Sequence, residues 1–165
     1  MSRSRNASAF LVEGNKMLEQ KEMYVPLVRT YAVREKKVLY KGEKVNSPEK
    51  VMELANEILK NVDREYLLAL SIDSQSKPVA LEIVSIGTID YAVVEPREVL
   101  KHGLLANAAG LIIVHNHPGG SCIPSKQDKK VTERMKKAGE LIGIPLQDHV
   151  IVGDGYFSFA ESGML

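Results

Sequence analysis

One short stretch of the sequence carries side chains that could hold a metal ion. His115 and His117 stand two positions apart after the apolar run 110–114, and Asp128 follows a loop containing glycine and proline. Side chains two apart on an extended chain point to the same side, so both imidazoles could face one ion. If the loop folds Asp128 back towards them, three protein ligands leave a fourth tetrahedral position for water. This layout is typical of a catalytic zinc site.

The same residues also fit a structural explanation without metal. Ser125-x-x-Asp128 has the spacing of a helix cap with an acid in the first turn, which is favourable by helix electrostatics alone. The two histidines could then be polar residues of a surface loop. Spacing by itself leaves both hypotheses open.

The elements that must position these side chains follow from the apolar patterns. Each of three helices has an N-cap or an early proline and one apolar face, and apolar runs of strand length alternate with them. The predicted helices are 47–61, 96–107 and 125–142, and Gly143 ends the last one. The predicted strands are 66–72, 79–85, 110–114, 146–152 and 156–159, with a break at 87–90 and a short strand at 91–94. This order predicts an α/β or α+β class with a mixed sheet.

The first 46 residues are predicted to be an N-terminal extension to a domain that spans residues 47–165. Residues 1–20 are weakly periodic and fit either a short helix or a frayed tail. Residues 23–40 are apolar at every second or third position and rich in Val, Tyr and Thr, which predicts a β-hairpin that turns at 35–37.

Composition excludes several classes of protein. The 165 residues are 44% hydrophobic and 26% charged, as in an ordinary soluble domain with a sizeable core. The net charge of +1 excludes a large basic field, and the one cysteine, Cys122, excludes an internal disulfide. The N-terminus has no apolar core of signal-peptide length, and no apolar run is long enough for a membrane span. We therefore expect a cytoplasmic protein with no membrane contact.

The motif resembles a known family signature. The run His-x-His-x7-Ser-x2-Asp, met by His115, His117, Ser125 and Asp128, resembles the JAMM signature of MPN/JAB-domain metalloproteases. His-Asn-His-Pro-Gly-Gly and the later Pro-Ser-x-x-Asp resemble, more narrowly, the RadC branch. Further stretches similar to that branch are 84–88, 96–98, 106–109 and 148–155. The resemblance covers residues 47–165 and implies a cytidine-deaminase-like or MPN fold, a curved mixed β-sheet flanked by helices.

The resemblance also implies an activity. It implies a zinc-dependent metallohydrolase, with one Zn²⁺ per chain on His115, His117 and Asp128, that cleaves a peptide or isopeptide amide with an activated water. A glutamate would serve as general base, and Glu65 and Glu82 are the candidates. The resemblance favours Glu65, which stands at the start of the strand 66–72. The Ser125 hydroxyl would help to stabilise the developing oxyanion.

Two departures from the family pattern limit what can be carried over. Asn116 stands between the histidines, where members that cut ubiquitin-type isopeptides usually have Ser or Thr, so the protein or peptide substrate is left open. Residues 1–46 are too short for the helix-hairpin-helix module of many RadC proteins, so a role in DNA repair is not expected. His149 beside Asp148 could orient the site from behind, or could be an ordinary strand residue.

Two functions other than hydrolysis are compatible with the sequence. One is a non-catalytic MPN-fold binding module, although such modules commonly lose the ligand set that is intact here. The other is a DNA-associated accessory protein acting through residues 126–137, which carry six basic and two acidic side chains. A solvated helix face explains those charges more simply, so a nucleic-acid partner is only weakly supported. Exposed edges of a small sheet are compatible with a homodimer.

Overall fold

The computed structural model describes residues 11–13, 16–18, 25–27, 29–33, 35, 37–40, 44–87 and 94–165. The chain divides into two compact units, residues 1–30 and 31–165. In the first unit, strands β1 (Leu11–Glu13) and β2 (Lys16–Leu18) pair antiparallel. The short helix considered for residues 1–20 is therefore wrong at these positions, and the other residues of that range lie outside the described ones.

The hairpin predicted for residues 23–40 does not form where the structure describes the chain. None of the described residues between 25 and 40 lies in a strand, and Lys36 of the predicted turn lies outside them. Leu27, Tyr31 and Val33 are exposed, so the apolar pattern on which the prediction rested does not correspond to a buried strand face. The prediction failed because the spacing of apolar residues does not show whether their side chains have a neighbouring surface to pack against.

The second unit contains a mixed sheet flanked by helices, which confirms the predicted fold class. Its elements are α1 (Pro48–Leu59), β3 (Tyr66–Ile72), β4 (Pro78–Ile86), α2 (Pro96–Leu105), β5 (Gly110–Asn116), α3 (Lys126–Ile142), β6 (Leu146–Val152) and β7 (Tyr156–Ser158). The strand order is β4-β3-β5-β6-β7, with β5 and β6 parallel and the other pairs antiparallel. β5 runs two residues beyond its predicted end, so His115 and Asn116 belong to the strand. The predicted break at 87–90 and strand at 91–94 fall almost wholly outside the described residues.

The central strands are buried on both faces of the sheet, and each face has its own core. Every residue of β5 is buried, as its unbroken apolar run predicts. On one face, Leu68, Ile112 and Val150 pack with α1. On the other face, Leu67 and Ile113 pack with the apolar sides of α2 and α3. Because side chains alternate along a strand, His115 points to the same face as Ile113, which is the α3 side.

Helix α3 is bounded at both ends by the residues that the sequence indicates. Ser125 is its N-cap, and Gly143 ends it in the left-handed region at φ 80°. The N-terminus of this helix lies beside the carboxyl end of β5, which brings the first turn of α3 to the histidines. Among the described residues, no helix is both long and apolar enough to cross a membrane.

Candidate metal centre

The candidate site lies where β5 ends and β3 begins. Leu67 of β3 is paired with His115 of β5 in an antiparallel register. Counting outward by two on each strand places Glu65 opposite His117, although these residues lie beyond the last assigned pair. Two adjacent antiparallel strands thus bring Glu65 and His117, which are far apart in the sequence, to one point.

Four side chains converge at this point. His115 Nε2 lies 3.0 Å from His117 Nε2 and 3.3 Å from Asp128 Oδ1. His117 Nε2 lies 3.7 Å from Asp128 Oδ2 and 3.8 Å from Glu65 Oε1. Ligand atoms of Glu65, His115 and His117 all lie within 4.8 Å of one another, so the cluster could bind a metal ion.

Asp128 takes part in a helix cap and in the histidine cluster at the same time. Its backbone N–H donates to Ser125 Oγ at 3.1 Å, and its Oδ2 accepts from the Ser125 N–H at 2.6 Å, which is a capping box. Burial alone would raise the pKa of Asp128, but the contacts with His115 and Ser125 outweigh burial and hold the pKa well below its usual range. The helix-cap hypothesis and the metal-ligand hypothesis therefore apply to the same Asp128 carboxylate. This carboxylate stays ionised beside the histidines.

Glu65, and not Glu82, lies at the histidines. Glu65 is buried near His117, whereas Glu82 is a half-exposed residue of β4 that contacts His102. Ser125 is exposed at the start of α3. The structure thus brings Glu65 and the three predicted ligands together, with Ser125 joined to them through Asp128.

Asn116 fixes the backbone on both sides of Glu65. Its Oδ1 accepts from the Tyr66 N–H at 2.8 Å, and its Nδ2 donates to the Arg64 carbonyl at 3.1 Å. A side-chain amide is suited to this bridge because it carries an acceptor and a donor on one planar group. Asn116 therefore holds the segment that carries Glu65. It is also the residue that differs from the Ser or Thr of the ubiquitin-cleaving members.

Behind the cluster, a chain of hydrogen bonds runs from His115 into α3. His115 Nδ1 lies 2.8 Å from His149 Nε2, and His149 Nδ1 lies 2.6 Å from Thr132 Oγ1. The Thr132 hydroxyl donates to the Asp128 carbonyl at 2.7 Å. His149 is buried, and burial holds its pKa well below the usual value.

The pairing considered between Asp148 and His149 takes a different form from the one expected. The Asp148 carboxylate accepts from the backbone N–H of His149 and from the Ser158 hydroxyl, both at 2.7 Å. The bonds made by the His149 ring go to His115 and Thr132 instead. Sequence reasoning missed Thr132, and the available signal was its position four residues after Asp128, on the same face of α3.

Comparison with known proteins gives one consistent family. The family model described as RadC-like JAB domain matches residues 45–164. Proteins named UPF0758 from Rubrobacter xylanophilus, Desulforamulus reducens and Thermotoga maritima are 41%, 43% and 42% identical, over 73%, 72% and 74% of this chain. These matches cover 53%, 52% and 55% of the relatives, so the chain spans about half of their length.

Proposed function

The chain belongs to the RadC-like JAB domain family, and from this premise we propose that it is a zinc-dependent hydrolase that cleaves a peptide or isopeptide amide bond. His115, His117 and Asp128 would hold the ion, one per chain. Glu65 would be the general base, and Ser125 would assist at the developing oxyanion.

The observation that carries this proposal is the 3.0 Å approach of the two Nε2 atoms. His117 Nδ1 lies 2.7 Å from the Ser121 carbonyl, which can only accept, so that nitrogen carries a hydrogen. In the neutral ring, His117 Nε2 then carries a lone pair and no hydrogen. This atom faces the Nε2 of His115 and the carboxylates of Glu65 and Asp128. A divalent cation can bind to such a set of nitrogen and oxygen lone pairs, and two imidazoles with a carboxylate are common catalytic zinc ligands.

The chain's own residues supply the remaining parts of a hydrolytic site. A zinc ion held there would act as a Lewis acid and would acidify water. Glu65 is buried beside His117, in position to take a proton from an attacking water and return it to the leaving amine. Ser125 is exposed one turn from Asp128, where its hydroxyl could donate to the carbonyl oxygen of a substrate as charge develops.

The test combines metal content with turnover on a panel of peptide and isopeptide substrates. We expect about one zinc per wild-type chain, as for a site with three protein ligands. The Glu65→Gln variant should keep the zinc and lose about 10²–10⁴-fold in turnover. His117→Ala should lose the zinc, and Glu82→Gln, which changes the rival carboxylate on β4, should behave as wild type.

Three results would count against the proposal. Wild-type turnover in Glu65→Gln would remove Glu65 as the base. Zinc bound at full occupancy without turnover on any substrate would favour the non-catalytic binding module. Absence of zinc in wild-type protein supplied with the metal would show that the ligand set is wrong.

A further inference from the structure

A neutral histidine carries its hydrogen on one of two ring nitrogens, and only the other can bind a metal. For His117 the choice is made by the Ser121 carbonyl, which accepts from Nδ1. For His115, the described part of the chain offers no such carbonyl at Nδ1. Its partner there is another histidine, His149, and an imidazole nitrogen can donate or accept.

The direction of the hydrogen bond between His115 and His149 is decided by Thr132, the next residue in the chain of hydrogen bonds. The hydroxyl of Thr132 has one hydrogen, which it donates to the Asp128 carbonyl. Thr132 Oγ1 can then only accept from His149 Nδ1, so this nitrogen carries the hydrogen of the His149 ring. His149 Nε2 is left as an acceptor, and it accepts from His115 Nδ1.

We propose that Thr132 and His149 form a relay that sets the tautomer of His115 and thereby directs its Nε2 lone pair at the metal position. This inference rests on the proposed function, because it assigns two positioning residues to the metal site proposed there. The relay is the three hydrogen bonds from the Asp128 carbonyl through Thr132 and His149 to His115 Nδ1.

The surroundings of His149 hold the relay in one geometry. The ring is 1% exposed and is stacked on Phe159, with centroids 4.8 Å apart and planes 7° apart. Thr132 is also buried, on the same helix as Asp128. The relay therefore joins two of the three proposed ligands, one on β5 and one on α3, through hydrogen bonds shielded from water.

The first test reads the tautomer directly in the chelator-treated full chain. Nitrogen-15 NMR of the imidazoles should show the hydrogen of His115 on Nδ1, with Nε2 unprotonated. A hydrogen on Nε2 would overturn the proposal. This measurement involves no metal, so it stands even if the protein proves not to bind zinc.

The second test measures zinc affinity by competition with a chelator. His149→Phe keeps a ring on Phe159 and removes both nitrogens, and we expect about a 10- to 100-fold loss of affinity, as for other groups that orient metal ligands. Thr132→Val removes the hydroxyl at nearly constant volume and should lower affinity in the same direction, while Thr132→Ser should restore it. Rescue by serine separates the hydroxyl from a packing effect.

The outcomes of the two tests are distinct. Wild-type zinc affinity in both His149→Phe and Thr132→Val would overturn the relay while leaving the proposed function intact. Absence of zinc in the wild type would contradict the proposed function and leave the NMR result to decide the relay. Thermal unfolding of each variant identifies any that fails to fold, and the remaining variant then supplies the affinity comparison.

Discussion

Asn116 is the residue on which the backbone around Glu65 depends most directly. Asn116→Asp keeps the size of the side chain but replaces the Nδ2 donor with an oxygen that faces the Arg64 carbonyl. Leaving a buried polar group unpaired costs about 1–3 kcal/mol, so we expect the free energy of unfolding to fall by that amount. We also expect reduced turnover with zinc retained, because the base would be displaced while the three ligands stay.

Urea unfolding and zinc content measure the effect of this change. The matched control is Asn46→Asp, at an exposed amide that accepts from Lys50, where a change within about 0.5 kcal/mol is expected. Equal stability of the two variants would mean that the bridge to Arg64 and Tyr66 contributes nothing to holding that segment.

At the residue scale, spacing together with the family resemblance indicated the three proposed ligands but not the residues that support them. His115, His117 and Asp128 fall in a short run, so their convergence requires only a strand end, a loop and a helix start. His149 reaches His115 because β6 lies parallel to β5, in a register that pairs it with Ile113. No local pattern specifies that register, which is why the sequence left two alternatives for His149 and did not indicate its contact with His115.

At the scale of the element, Ser125 both caps α3 and is proposed to act on substrate, and one substitution separates these roles. Glycine at an N-cap costs only a few tenths of a kcal/mol relative to serine, so Ser125→Gly should leave stability almost unchanged. If the hydroxyl donates to the oxyanion, turnover should drop by about 10²–10³-fold, as for other oxyanion donors. Ser125→Thr, which keeps the hydroxyl, should retain activity. Wild-type turnover in Ser125→Gly would limit Ser125 to its capping role.

The turn between β6 and β7 supports the loop that follows His117. A Cβ added at Gly153 would overlap the carbonyl oxygen of Gly120, whereas one at Gly155 would meet no atom within 4 Å. The Asp154 N–H also donates to the Gly120 carbonyl at 2.8 Å, so the two segments are in direct contact. We expect Gly153→Ala to displace the loop that places His117, lowering both stability and zinc affinity.

Gly155→Ala is the control for this prediction, because it makes the same change in the same turn where there is space. Thermal unfolding and chelator competition on both variants give the comparison. Equal zinc affinity in the two alanine variants would show that the contact with Gly120 does not hold the loop that follows His117.

The elements that were predicted well are those with both an end signal and a place to be buried. Pro48 and Gly143 mark helix ends, and the apolar runs of β3 and β6 were predicted with their observed bounds because both strands lie in the sheet centre. The 23–40 hairpin failed for the opposite reason. Leu27, Tyr31 and Val33 of that segment stay exposed, and β propensity reflects packing on a neighbouring surface more than backbone preference.

At the scale of the whole molecule, the site is joined to the core of the second unit. His115 and His149 lie on strands whose neighbouring side chains, Ile113 and Val150, are fully buried in the two cores. A change at either histidine is therefore expected to affect the stability of the unit as well as the site. Measurements of zinc affinity need a parallel measurement of unfolding for this reason.

The buried state of His149 gives the whole unit a dependence of stability on pH. Its pKa in the folded protein is held well below the value of about 6.5 that it has in an unfolded chain. As pH falls below that value, the unfolded state binds a proton that the folded state does not, so stability is full above about pH 6.5 and is lost as pH falls. The slope from this one group approaches about 1.4 kcal/mol per pH unit well below pH 6.5 and is about half of that at pH 6.5. Urea unfolding of chelator-treated protein between about pH 7.5 and 5.5 covers the range in which this group acts.

His149→Phe should lose stability less steeply over the same range, because it lacks the titrating ring. Parallel pH profiles for wild type and variant would show that some other group, and not His149, sets the acid sensitivity of the fold.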